Sequence, residues 1–124
     1  MIKLEGLVDY CKNKPEASLE FPFGKIPFCF KFRNRIFAEI YPNDDDYKIT
    51  LRCEPDMGEY FRQAFPENVV PAYHVPVRQR RHKMTVLLTG GLSEDTVRAM
   101  IDHSYGTLAK AGKRRTGGDL PTRG

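Results

Sequence analysis

Apolar residues recur at Leu4, Leu7, Val8 and Cys11, the spacing that lines one face of a helix. Pro15 stops that helix by holding Lys14 out of the helical region. Residues 20–24 (Glu-Phe-Pro-Phe-Gly) read as an aromatic loop. The period then drops to two. Phe28, Phe30 and Phe32 face one way with Lys31 and Arg33 opposite, Asn34 marks a tight turn, and 35–41 returns as a second strand. After the polar loop Pro42-Asn43-Asp44-Asp45-Asp46, a third strand sets Tyr47, Ile49, Leu51 and Cys53 against Lys48, Thr50 and Arg52. Pro55 suits the first turn of a second helix, whose stripe is Met57, Tyr60, Phe61, Ala64 and Phe65 and which Pro66 ends. Residues 67–83 are marked by prolines and then by bases, and 84–89 form a further strand that ends at Gly90-Gly91. Ser93 is placed to cap a last helix, with Glu94 and Asp95 in its first turn and Val97, Met100, Ile101, Ser104, Tyr105 and Leu108 along one face.

A meander sheet with helices on one face is the simplest arrangement that buries all of these stripes. The expected fold class is therefore a two-layer α+β domain, in the order helix, three strands, helix, one or two strands, helix. Leu7, Phe30, Phe37, Leu51, Phe61, Val86 and Ile101 are central to their stripes and form the expected core.

Composition narrows the class. The chain has 124 residues, 40% hydrophobic and 29% charged, an ordinary globular balance for one domain that folds without a disulfide or a metal. No apolar run approaches the length of a membrane span, and Met1-Ile2-Lys3-Leu4-Glu5 lacks the pattern of a signal peptide. Cys11, Cys29 and Cys53 are odd in number and far apart, as expected of reduced, buried thiols in a cytoplasmic protein. The net charge of +4 comes from one end. Residues 110–124 carry five basic groups against one acid, which leaves fifteen of each in residues 1–109. The expected organisation is one domain over 1–111 followed by a basic, disordered tail over 112–124.

Several motifs suggest chemistry, and most dissolve on inspection. Asp102-His103-Ser104 cannot work as a triad on a helix, because successive residues point about 100° apart. The expectation is that Ser104 packs inward and Asp102 pairs with Arg98. His74, His82 and His103 form no ligand pair, Asp44-Asp45-Asp46 lacks the spacing of a calcium loop, and Gly90-Gly91 is not followed by a P-loop lysine. No catalytic group, metal or cofactor is expected. The bases are more informative. Lys31, Arg33, Lys48 and Arg52 fall on the side of their strands away from the aromatic residues, and Arg78, Arg80, Arg81 and Lys83 add a basic loop or hairpin. Such a surface suits a polyanion. Phe21, Phe23, Tyr73 and His74 flank prolines and, with Tyr105 as a neighbour, are expected to form a latch or a small pocket.

Six segments in order resemble the YjbR/MmcQ-like family of small bacterial proteins: Glu20-Phe21-Pro22-Phe23-Gly24, Ile36-Phe37-Ala38, Ile49-Thr50-Leu51-Arg52-Cys53-Glu54-Pro55, Val70-Pro71-Ala72-Tyr73-His74, Thr85-Val86 and Ile101-Asp102-His103-Ser104-Tyr105. The resemblance spans about residues 1–111. It implies a fold like that of secretion chaperones, helix, three strands, helix, two strands, helix, and it carries the labels DNA-binding and double-wing with no established activity or cofactor. The chain departs from the pattern at Val75–Lys83, which is longer, more basic and without the tryptophan found there in the family.

The functional expectation is a non-enzymatic module that binds DNA phosphates through Arg33, Lys48, Arg52, Arg78, Arg80, Arg81 and Lys83. No recognition helix suited to the major groove is evident, so base-specific reading is not expected. The alternative is a protein-interaction or chaperone-like module, with a second copy as one partner, using the sheet face or the Phe21/Phe23 loop.

Overall fold

The computed structural model describes residues 2–43, 45–72 and 75–116. Helix α1 (Leu4–Lys12) leads into strand β1 (Ala17–Glu20), then β2 (Phe28–Phe32), β3 (Arg35–Asn43) and β4 (Asp46–Arg52). Helix α2 (Pro55–Ala64), β5 (Val69–Pro71), a 3-10 turn (Val77–His82), β6 (Lys83–Leu87) and α3 (Glu94–Thr116) complete the chain. The strands form one antiparallel sheet in the order β1-β2-β3-β4-β6-β5, with the helices packed on one face.

The α+β class and the helix layer match the sequence pattern. The sheet has one strand more than that pattern suggests, because Ala17–Glu20 adds an edge strand, while Val69–Pro71 and Lys83–Leu87 are the two strands expected between α2 and α3. The bases of 78–82 wind into the 3-10 turn, and α3 runs through Thr116. Residues 117–124 of the expected tail lie outside the described residues.

Register explains which side chains reach the core. Phe28 pairs with Ile40 and Phe30 with Ala38, but Lys31 pairs with Ile36, which leaves Phe37 as the extra residue of a bulge. The bulge lets Phe37 join Ala38 on the helix side, where its ring lies 6.4 Å from Phe30 and 5.4 Å from Tyr105. All seven expected core residues are buried in one cluster. The three cysteines are free and buried, and burial pushes their thiols up to about 12 at Cys11 and about 11 at Cys29 and Cys53.

The β2–β3 hairpin closes through Arg33 and Asn34, both in the left-handed region at φ 50° and 71°. Two such residues in succession make the turn whose twist suits a two-residue hairpin. Arg33 is therefore a turn residue, not a member of the sheet face as the alternation suggested. At the start of α3, the hydroxyl of Ser93 accepts the backbone N–H of Thr96 at 3.1 Å, the cap its sequence position implies.

Candidate nucleic-acid interface

The motif over 101–105 turns out to be the fastener that holds α3 to the rest of the molecule. Asp102 accepts the hydroxyl of Tyr10 at 2.6 Å and forms an ion pair with Lys14. Burial works against the Lys14 charge, but Asp102 outweighs it and holds the ammonium above its usual range. Arg98 instead takes Glu94, four residues earlier, at 2.7 Å, so the expected Asp102–Arg98 pair does not form. His103 accepts the backbone N–H of Glu54 through Nε2 at 3.1 Å, which requires a neutral ring, and burial keeps its pKa below the ordinary value. Ser104 donates to the carbonyl of Phe37 at 2.5 Å and accepts the N–H of Arg52 at 2.8 Å. Tyr105 donates to the carbonyl of Pro15 at 2.6 Å. Asp102, His103 and Ser104 thus engage three different parts of the fold.

The helix-free face of the sheet follows from the register. One row crosses all six strands as Glu20, Cys29, Glu39, Thr50, Thr85 and Val70. Thr50 and Thr85 hydrogen-bond side chain to side chain at 3.0 Å in its middle. On one side of this row lie Tyr41, Lys48 and Leu87, and on the other Arg52 sits opposite Lys83.

The predicted cations divide into two groups. Arg33 grips Glu16 through two nitrogens at 3.0 and 3.2 Å, a bidentate pair that holds the Glu16 carboxyl below the usual range. Lys48 lies 2.9 Å from Asp46 and over the ring of Tyr41. Both therefore have their charge met at home. Arg52, Arg78, Arg81 and Lys83 have no carboxylate partner among the described residues. Arg80 is partly buried, and its Nε lies 3.4 Å from the carbonyl of Val75.

The second group is contiguous. The N–H of Cys53 donates to the carbonyl of His82 at 2.9 Å, and its thiol lies 3.8 Å from the carbonyl of Arg81. These contacts fix the basic 3-10 turn beside the Arg52–Lys83 pair. Burial first and the charge of Arg35, a residue the sequence pattern did not single out, second lower the pKa of Arg52.

Of the expected aromatic cluster, the described members Phe21, Phe23 and Tyr105 lie apart. Phe21 packs edge-on against Phe28 at one end of β2, whereas Tyr105 packs against Phe32 at the other. Phe21 is 49% exposed and Phe23 66%. Separation along the strand keeps these described rings from sharing a pocket. Tyr73 and His74 lie outside the described residues. Among the described residues no cluster of His, Cys, Asp and Glu could hold a metal, and no helix is long and apolar enough to cross a membrane.

A family model described as YjbR matches residues 12–107. The crystal structure of the Deinococcus radiodurans protein DR2400, described with a DUF419 domain, is similar at 27% identity and a TM-score of 0.80, over 98% of this chain and 91% of that one. A Pseudomonas syringae protein shares the fold in a crystal structure, at 24% identity and a TM-score of 0.64 over 83% of this chain and 96% of that one. A solution structure from the same organism gives 22% and 0.66 over 86% and 92%. No curated protein matches the chain.

Proposed function

The chain belongs to the YjbR family, and from that premise we propose that it is a binding module for DNA that contacts phosphates through Arg52, Lys83, Arg78 and Arg81. The observation that supports this reading is the division of the cations. Arg33 and Lys48 are neutralised by carboxylates, whereas Arg52, Lys83 and, in the neighbouring turn, Arg78 and Arg81 have no carboxylate partner among the described residues. An unpaired, adjacent set of cations binds polyanions through counterion release and needs no net positive charge on the domain. The engagement of Asp102, His103 and Ser104 in the fastener argues for a binding role over a hydrolytic one.

A second reading has its own observation. Phe21 and Phe23, with Ile26 at 41% exposure, leave a small apolar loop in solvent, which suits a protein partner.

The two readings separate in one titration. A chain ending at Thr116 should bind unrelated duplexes alike, with a dissociation constant on the order of 10⁻⁴–10⁻⁶ M near physiological salt. Changing Arg78, Arg81 and Lys83 to Ala should weaken all of them similarly and flatten the dependence on log salt by up to about 3. Unchanged binding by that triple variant would refute the interface. Changing Phe21 and Phe23 to Ser should leave DNA affinity as it was.

A further inference from the structure

Arg52 differs from Lys31, Arg33 and Lys48, each of which has a carboxylate partner. Lys31 reaches Glu20 at 3.1 Å, Arg33 holds Glu16, and Lys48 holds Asp46. The Arg52 side chain makes no hydrogen bond or ion pair among the described residues, and its Nε is out of water with no acceptor. Its surroundings add positive charge, with Lys83 as its register partner and Arg35 near enough to act on it. A half-buried guanidinium without an anion costs stability, and a neighbouring cation raises that cost. The backbone is nevertheless held firmly on both sides of this residue. Ser104 fixes the N–H of Arg52, and the carbonyl of His82 fixes the N–H of Cys53. A guanidinium that is already positioned and partly dehydrated needs little further ordering to receive an oxyanion.

We propose that Arg52, with Lys83 beside it, forms a discrete seat for one phosphate monoester. The planar guanidinium can donate to two oxygens of such a group at once. A monoester carries a charge of about −1.5 to −2 near neutral pH, against a single charge on a bridging diester, so it matches a site where two cations adjoin. The terminal phosphate of a polynucleotide and a free phosphate share this chemistry. The seat deepens the DNA reading by assigning strand ends a role, and it rests on that reading only for the source of the phosphate.

The test uses the full chain, inorganic phosphate, and one duplex prepared with and without 5′-phosphates. Affinity is followed by calorimetry and the Arg52 Nε–H by NMR. The phosphorylated duplex should bind about tenfold more tightly than the hydroxyl-ended one, the ratio expected from one or two charge-assisted hydrogen bonds. Inorganic phosphate should shift the Nε–H resonance. Arg52→Gln should abolish the preference without lowering the melting temperature, and Arg52→Lys, which keeps the charge but loses the fork, should lose most of it. Equal affinity for the two duplexes, with no response of Nε–H to phosphate, would overturn the seat and leave the wider interface standing. A phosphate response without binding of either duplex would support the seat and overturn the DNA reading.

Discussion

Replacing Ser104 by Ala removes one oxygen from the molecule and strands two backbone groups. The residue is fully buried, its hydroxyl donates to the carbonyl of Phe37, and it accepts the N–H of Arg52. These groups belong to the bulge of β3 and the end of β4, where the ladder cannot supply substitutes. Leaving a buried polar group unsatisfied costs about 1–3 kcal/mol. Two groups, one of them a carbonyl that tolerates imperfect pairing, give about 2–4 kcal/mol for the substitution. For a domain of this size that is a fall in melting temperature of about 8–16 °C. Thermal unfolding followed by circular dichroism measures it, and amide exchange at Arg52 should lose protection beyond the global change. A fall of less than about 2 °C, with Arg52 still protected, would show that the fastener contributes little and that α3 is held by its apolar stripe alone.

Two further outcomes follow from the same geometry. A Cβ at Gly58 would lie 2.7 Å from Sγ of buried Cys53, so the helix preference for Ala, about 1 kcal/mol, should be outweighed and Gly58→Ala should destabilise by about 1–3 kcal/mol in urea titrations. His103 is neutral in the fold and its pKa lies below the ordinary 6.5, so the unfolded chain binds the proton more tightly. Its contribution to stability is therefore complete above about 6.5 and lost as pH falls through the lower folded value, and unfolding free energies from pH 8 to pH 5 should show a decline that His103→Gln reduces.

The core was legible because each element carries a clear period. Leu7 and Ile101 mark helical stripes, Phe30 and Leu51 mark alternating strands, and burial enforces both patterns. Strand β1 was not legible, since Ala17 and Leu19 are its only apolar residues and it becomes a strand by pairing with β2. The bulge at Phe37 is a matter of register between two strands, which the alternation of either strand alone does not carry. The site was legible in part. Alternation places Lys48 and Arg52 on one face, and the partner of Lys48 was within reach of the same rule, because Asp46 stands two residues earlier in the strand. The partner of Arg33 is seventeen residues away, and the partner of Asp102 is at the other end of the chain, so neither pair leaves a local signal. Arg35 was missed for the same reason, since its effect on Arg52 depends on how β3 and β4 meet.

The central claim is that the unpaired bases around Arg52 form the interface, and NMR of the full chain during titration with a short duplex tests it most directly. The account predicts that the backbone resonances of Arg52, Arg78, Arg81 and Lys83 move together, and that those of Phe21 and Phe23 stay in place. Movement confined to Phe21, Phe23 and Ile26, or to residues 117–124, would contradict it.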